Sequence, residues 1–483
     1  MGMTVAQRAI GFIRTALFCR LLPEGELGQW SLVFSFVMLC APMAVLGISG
    51  SFGRYVEHYL QRGLLRSFFR LTGVAVAGLT VVAVVGMWFG KEWVSWCLFG
   101  SVDQTHLLLP ALLTLVTTIG YNFFLEAIIA LRKIKVASIM SLISSWTFAL
   151  LGIVLVQFTD YGSRGVVTSF ACGNLFAALY AWYVLASEWK HFPKPSVEFD
   201  AVNLWKKIAP FAFGLWLVNI VTNLFDMVDR YMIVHFAGIS AADAQGLVGQ
   251  YYSSMAVPLL MVSLSTTLGH MVMPYLSKDW EAQRYQAVSD GINLSTKLIG
   301  LLLALGSTVT ILAAPFLFNV VFDGKYDAGY AVLPLTITFC FWKSIACCTY
   351  NYLYCVERTR LMFASLAVGL LANIVLNALL LPALGLMGAA LATAISCAVN
   401  LLTVNIMSIR HGYRISRGVL WVFAFPLLLT AGASVSAIGM VVLLFICVRT
   451  NWCLSRNEQD QMEDILQGLA DKVVPARLRA AIG

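Results

Sequence analysis

The stretch LFGSVDQTHLLLPALL, residues 98–113, runs into an apolar segment that ends LRKIKV at 131–136. Later, VFDGKYDAGYAVLPLTI at 321–337 runs into an apolar segment that ends VERTRL at 356–361. Pro110 pairs with Pro334, 224 residues on, and Lys135 with Arg360, 225 residues on. RGVVTSFACGNL (164–175) faces MGAALATAISCAVNL (387–401), where Gly165 and Gly388 stand 223 residues apart. A near-constant offset marks the chain as two copies of one unit. Arg14 in FIRTALFCRLL and Arg230 in MVDRYMIVHFA carry the match toward the start of each half, at an offset of 216.

What surrounds these stretches sets the class. Of 483 residues, 60% are hydrophobic and only 12% charged. A soluble core cannot hide that much apolar surface, which excludes a soluble enzyme, a disordered chain and a nucleic-acid binder. A hydrocarbon core needs about 20 apolar residues per helix. Spans are expected at 4–22, 29–52, 68–89, 106–131, 137–158, 165–186, 208–237, 248–274, 292–318, 331–355, 361–381 and 387–408. The apolar stretch 419–448 would reach about 45 Å as one helix, too long for an upright span. Gly432, Ala433, Ser434 and Ser436 mark a turn in it, so it is read as a pair of short spans.

The expected fold is an all-α integral membrane protein of about 14 transmembrane helices: two six-helix lobes in parallel repeat plus a C-terminal helix pair. The expected boundaries are 1–187 for the first lobe, 188–207 for a cytoplasmic linker and 208–409 for the second lobe. The helix pair takes 418–449, and 450–483 is a cytoplasmic amphipathic tail. In the tail, Ser455 and Glu458 have capping-box spacing, Met462, Ile465, Leu466, Leu469 and Val473 share a face, and Pro475 ends the helix.

Basic residues give the orientation. With the N-terminus inside, cytoplasmic segments carry 23 Lys and Arg, Lys297 among them, and outside segments carry three, Lys91, Arg164 and Lys325. Both termini are therefore expected in the cytoplasm, with the chain a multi-pass protein of the inner (plasma) membrane. Arg8 and Arg14 interrupt the first apolar run, so it does not read as a cleaved signal peptide. The 11 cysteines include no CxxC and no Cys/His metal spacing, and read as small membrane-buried hydrophobes; neither metal nor cofactor is expected. Gly47, Gly50 and Gly53 read as a close-packing series.

An ionisable group at mid-span costs about 2.5–3.5 kcal/mol or more and needs a partner, water or a task. Arg14, Arg230 and Lys343 meet that description and are the candidate substrate-binding cations of a central cavity. Span seven also carries Asp226 and Asp229; Asp226 and Arg230 are four residues apart and can pair on one helix face. Arg54, Glu57 and Glu126 are weaker candidates, the first two placed for an ordinary interfacial role. His235 and His270 read as satisfied packing residues.

Five stretches share a resemblance: RAIGFIRTALFCRLLPEGELGQWSLVFSF (8–36), VDRYMIVHFAG (228–238), GQYYSSMAVPLLMVSLSTTLGHMVMPYLS (249–277), LFNVVFDGKYDAGYAVLPL (317–335) and WCLSRNEQDQMEDIL (452–466). Together they resemble the oligosaccharide flippases, the polysaccharide biosynthesis transporters of the multidrug/oligosaccharidyl-lipid/polysaccharide superfamily. The resemblance implies two six-helix lobes, alternating access, and a glycan on a polyprenyl pyrophosphate moved from the cytoplasmic to the outer leaflet. It places a cationic cavity at Arg14 and Arg230; Lys343 matches no position of the family. Expected partners are the lipid-linked glycan, membrane lipids, a coupling ion and envelope glycan-assembly proteins, with no nucleic acid. Charge supports this: a pyrophosphate carries about two negative charges, and arginine contacts phosphate bidentately.

A lipid II flippase or a small-molecule exporter of the same superfamily is the nearest alternative. A membrane glycan polymerase or glycosyltransferase is the alternative of another class. Such an enzyme needs a loop or domain carrying catalytic groups, and here the outside loops are short, with no DxD and no nucleotide-binding glycine loop. The expectation is a transporter, not an enzyme.

Overall fold

The computed structural model describes residues 2–190, 192, 201–450 and 458. Every regular element among them is helical. That follows from the apolar sequence, since within a bilayer a helix satisfies its backbone groups internally. The helices are α1 (Gly2–Leu21), α2 (Glu24–Ala44), α3 (Phe52–Gln61), α4 (Leu65–Phe89), α5 (Lys91–Phe99), α6 (Leu108–Ala130), α7 (Ile134–Phe158) and α8 (Gly162–Trp189). They continue with α9 (Ala201–Phe236), α10 (Ala241–Ser254), α11 (Pro258–Glu281), α12 (Tyr285–Phe316), α13 (Asp327–Cys355), α14 (Thr359–Arg410), α15 (Arg417–Leu429) and α16 (Ala433–Arg449).

Among the described residues, ten helices are long and apolar enough to cross a membrane, and two apolar helices are shorter. α1 falls outside the ten, and its 20 residues include Arg8, Arg14 and Arg20. The 52 residues of α14 are not one rod. Gly385 takes φ 55° and ψ −135°, a backbone region reserved for glycine, and the chain turns there. Asn373 reaches Thr393, 20 residues on, at 3.3 Å, so the two arms run side by side as the expected spans at 361–381 and 387–408. The 419–448 stretch likewise divides into α15 and α16, at Gly432 with φ 104°. The tail beyond 450 lies outside the described residues except Glu458, and so do residues 191 and 193–200 of the linker.

Two expected spans are interrupted. The span expected at 29–52 ends as α2 at Ala44 and resumes as α3 at Phe52. Leu46 and Gly47 both take positive φ there. A β-carbon on Gly47 would meet the Ala212 carbonyl oxygen at 2.5 Å, whereas one on Gly53 would meet nothing within 4 Å. The close-packing reading of 47/50/53 holds at Gly47, which the turn and the approach of α9 both require, and not at Gly53. The span expected at 248–274 breaks in the same way, between α10 and Pro258, the first residue of α11, where the missing N–H costs nothing.

Two compact units assemble from non-contiguous pieces of the chain. The first comprises Met1–Val257, Pro315–Val332 and Leu366–Ser396; the second comprises Pro258–Ala314, Leu333–Ser365 and Cys397–Gly483. Lobe boundaries at 187 and 208–409 thus stay a proposal of the sequence repeat.

In the first unit, α6, α7 and α8 pack tightly around Ile128, Ala137, Met140, Ala177 and Ala181. Small residues allow the approach: a β-carbon on Gly173 would come within 2.7 Å of the Ser144 carbonyl oxygen. In the second unit, Pro426 interrupts α15, and two side chains of α13 bind carbonyl oxygens beside the break. Trp342 donates to Phe423 O at 2.9 Å and Thr338 to Pro426 O at 3.1 Å.

Lys297 corrects the charge map. It was counted in a cytoplasmic loop, yet it stands within α12 and is only 3% exposed. Its Nζ donates to both carboxylate oxygens of Glu458, at 2.8 and 2.9 Å. A buried cation needs such a partner. The helix that Glu458 is expected to cap lies outside the described residues.

Candidate functional site

α9 carries Asp229 and Arg230 as neighbours. Consecutive helical residues diverge by about 100°, so the two side chains serve different helices. Both are buried, at 3% and 5% exposure. Arg230 Nη1 donates to Ser35 Oγ on α2 at 2.8 Å, and Nη2 approaches Met255 Sδ, at the end of α10, at 3.6 Å. Its Nε has no hydrogen-bond partner. A buried guanidinium satisfied by one hydroxyl and one thioether is poorly compensated.

Arg14 is half-buried on α1, and its guanidinium carbon lies 4.0 Å from the centroid of the Phe148 ring. The ring face supplies a cation–π contact but no anion. Phe148 belongs to an aromatic group with Phe18, Trp30 and Phe170. Arg14 is also within electrostatic reach of Tyr252 on α10. Tyr252 is fixed by the Trp30 indole, whose Nε1 donates to its hydroxyl at 3.4 Å. Arg230 thus meets Ser35 of α2, in the other half of the chain, whereas Arg14 rests on Phe148 in its own half. Among the described residues, neither forms an ion pair within 4.0 Å.

Asp229 faces the two arms of α14. Its Oδ1 accepts from Asn373 Nδ2 at 2.9 Å and Asn377 Nδ2 at 2.8 Å. Its Oδ2 accepts from Thr393 Oγ1 at 2.7 Å and the Tyr251 hydroxyl at 3.1 Å. Four donors fill a carboxylate's capacity. Beside them the buried Asn377 Oδ1 has no donor. Amide N–H and hydroxyl donors converge on the carboxylate, so a proton or a small cation would have to displace some of them to bind here. Sequence reasoning missed Asn373, Asn377, Thr393 and Tyr251. The first two were discoverable, as a polar pair one turn apart inside the apolar run LLANIVLNALL.

The remaining candidates fall elsewhere. Asp226 is exposed on α9, while Arg230 is turned inward to Ser35. Lys343 is half-buried on α13, in the second unit, whereas Arg14, Arg230 and Asp229 all belong to the first. Arg54 is exposed and lies 5.0 Å from the Phe211 ring centroid. Glu57 pairs with Arg132 at 3.8 Å and accepts from Gln61 Nε2. Glu126 is half-buried on α6. The His235 ring is bonded to Cys97 O at 2.9 Å, as a packing residue should be; the His270 side chain lies outside the description.

Comparison with known proteins places this geometry in context. Residues 1–280 match the family model described as polysaccharide biosynthesis protein. An uncharacterized membrane protein of Methanocaldococcus jannaschii is 22% identical over 411 residues, covering 80% of this chain and 77% of its own. Among solved structures, the lipid II flippase MurJ in an inward closed conformation superposes with TM-score 0.68 at 15% identity, over 92% of this chain and 98% of that one. An inward-facing multidrug resistance MATE family transporter of the MOP superfamily superposes with TM-score 0.65 at 12% identity, over 83% of this chain and 95% of that one.

Proposed function

The chain belongs to the polysaccharide biosynthesis protein family and has the multi-pass membrane fold shared by the lipid II flippase MurJ and MATE transporters, and from that premise we propose that it flips a polyprenyl-diphosphate-linked oligosaccharide between leaflets by alternating access. One observation carries the substrate class. Each half of the repeat brings an arginine into the helical bundle, and both are held by neutral groups alone: an aromatic face for Arg14, a hydroxyl and a thioether for Arg230. Two guanidiniums without counter-charge suit a diphosphate, which offers charge-assisted bidentate bonds that serine and methionine cannot.

The polar glycan needs a hydrated path, while the polyprenyl tail stays in lipid. Asp229 supplies the second element, a coupling site for a small cation or a proton. Its carboxylate sits where α9, α10 and both arms of α14 meet, so its occupancy can bias how these helices pack. The chain is proposed to lie in the plasma membrane with both termini cytoplasmic, delivering glycan to envelope assembly.

The test is binding to the purified protein. A polyprenyl diphosphate should raise its melting temperature, and the matching polyprenyl alcohol should not. Arg14→Ala and Arg230→Ala should each remove the shift while the proteins stay folded. A shift that survives both substitutions rejects the assignment.

A further inference from the structure

We propose that the groove between α4 and α6 is a lipid site: an acyl chain of an anionic phospholipid lies in it, and Arg66 and Arg70 hold the headgroup phosphate. The site is separate from Arg14 and Arg230 and does not depend on what the protein transports.

The groove lies wholly within the first unit. Its inner part offers about 490 Å³ between Gly73, Ala77 and Thr80 of α4 and Gly120 and Phe123 of α6. Small residues keep it open: a β-carbon added to Gly120 would meet nothing within 4 Å. An outer part of about 360 Å³ continues it, sharing Val84, Val85 and Val116 and ending at Trp88 and Phe89. An exposed tryptophan marks the level of a membrane interface. From Gly73 to Phe89 the groove follows α4 for about 24 Å. One leaflet's chains fill about half of a 30 Å hydrocarbon core, so the inner part has room for a chain along its whole depth.

The same face of α4 carries charge. Arg66, Arg70, Gly73, Ala77, Thr80 and Val84 follow one another at steps of four and three residues. All six therefore stay within about 40° of one line along the helix. Arg70 stands one turn before Gly73, at the groove's inner end, and Arg66 one turn before that. Both occupy the first turns of α4, whose N-terminus has no side-chain cap. The helix dipole disfavours cations at that end and favours an anion. Arg66 Nη2 donates to Lys190 O at 3.2 Å, while its buried Nε has no hydrogen-bond partner. Among the described residues, neither arginine forms an ion pair within 4.0 Å, and the acids Glu57 and Glu188 are taken by Arg132 and Lys133. Glu126 stands about a quarter-turn round α6 from the lining residues.

Charge decides the occupant. A phosphodiester headgroup supplies the missing anion, and arginine binds phosphate bidentately. This end of α4 is the one expected on the cytoplasmic side, where basic residues at helix ends attract anionic headgroups. A second copy of the chain fits poorly. A two-fold axis along the membrane normal would set each face against itself at equal depth, bringing Arg66 and Arg70 onto their own counterparts. A scarce carrier lipid competes with the bulk of the bilayer, and mass action favours the bulk. Protein leaves most of the apolar length of α4 unburied, so a bound chain adds packing and stability.

The experiment uses the full chain in detergent, with native mass spectrometry for binding and thermal unfolding for stability. Phosphatidylglycerol should bind more tightly than phosphatidylcholine with the same chains, and should raise the melting temperature by about 2 °C or more above it. The double change Arg66→Gln, Arg70→Gln should weaken phosphatidylglycerol binding about tenfold and leave phosphatidylcholine as it was. Gly120→Phe fills the groove and should weaken both lipids. Arg14→Ala should bind phosphatidylglycerol as its parent does. Arg70→Gln, at an exposed position, decides the headgroup contact where a fuller variant fails to fold.

Equal affinity of the parent for the two lipids overturns the headgroup assignment. Phosphatidylglycerol binding that survives the arginine changes or Gly120→Phe overturns the site. Light scattering that shows Gly120→Phe turning a dimer into a monomer makes a second copy the occupant, and a polyprenyl diphosphate that displaces phosphatidylglycerol at equal concentration makes the carrier lipid the occupant. Either result overturns the proposal.

Discussion

Arg230 of α9 donates to Ser35 of α2 across 2.8 Å, 195 residues away in sequence, while Arg14 of α1 lies 4.0 Å from the Phe148 ring centroid. Both cations rest on neutral groups among the described residues. Arg230→Ala and Arg14→Ala are each expected to lower flipping by at least about tenfold, the loss of one charge-assisted phosphate contact. Protein abundance in the membrane should be retained. Arg14→Lys should keep part of the activity, because charge survives and the bidentate fork does not. Initial flipping rates normalised to reconstituted protein make the comparison.

Asp229→Asn keeps the shape and removes the charge. Four donors would then face a group that is itself half donor, at a cost of about 1.5–3 kcal/mol for hydrogen bonds to a charged acceptor. The expected result is a folded protein with a lower melting temperature whose flipping no longer responds to an imposed sodium or proton gradient. A gradient response equal to the parent's would remove Asp229 from coupling.

Lys297 and Glu458 give a prediction on stability alone. Glu458→Gln leaves a buried ammonium without its anion and should cost about 3–5 kcal/mol. The double change Lys297→Met, Glu458→Leu should recover most of that loss. Thermal unfolding in detergent, read on both variants, checks the pair.

The turn inside α14 rests on one residue. Gly385→Ala places a side chain at φ 55°, ψ −135°, and should destabilise by about 1–3 kcal/mol. The same substitution at Gly53, where a β-carbon meets nothing within 4 Å, should be close to neutral. Melting temperatures of the two variants separate conformational need from mere glycine content.

Much of this architecture was legible in the sequence, and the failures have a common cause. Apolar runs gave most of the spans, because hydropathy is a local property. The breaks after Ala44 and Ser254 were invisible, since MAVLGISGS and MAVP are as apolar as their flanks. What interrupts them is backbone geometry at Leu46, Gly47 and Pro258. Lys297 falls inside the span expected at 292–318 yet counts with the cytoplasmic charge because it stands near that span's end. Its partner lies 161 residues away, and no local reading could pair them. Asp229 was singled out correctly as costly, but its donors Asn373 and Asn377 lie 144 and 148 residues away. The four-residue spacing suggested an ion pair of Arg230 with Asp226; packing gave it Ser35.

Orientation is open to a direct check. Single cysteines replacing Gly25 and the exposed Asp160 should react with an impermeant reagent added outside cells, and one replacing Gln61 should not. Gly162 is unsuitable, because a side chain there would overlap the Glu26 carboxylate. The reverse pattern would invert the assigned topology.

The central claim is transport of a diphosphate-linked glycan between leaflets. Vesicles are made with a polyprenyl-diphosphate oligosaccharide, and the outer leaflet is stripped with an impermeant glycosidase. The glycan that later becomes accessible is then followed over time. With the protein present, the protected half should become accessible at a rate proportional to protein, and Arg14→Ala vesicles should behave as empty ones. Accessibility that is the same with and without the protein, or full transport by Arg14→Ala, would contradict the account.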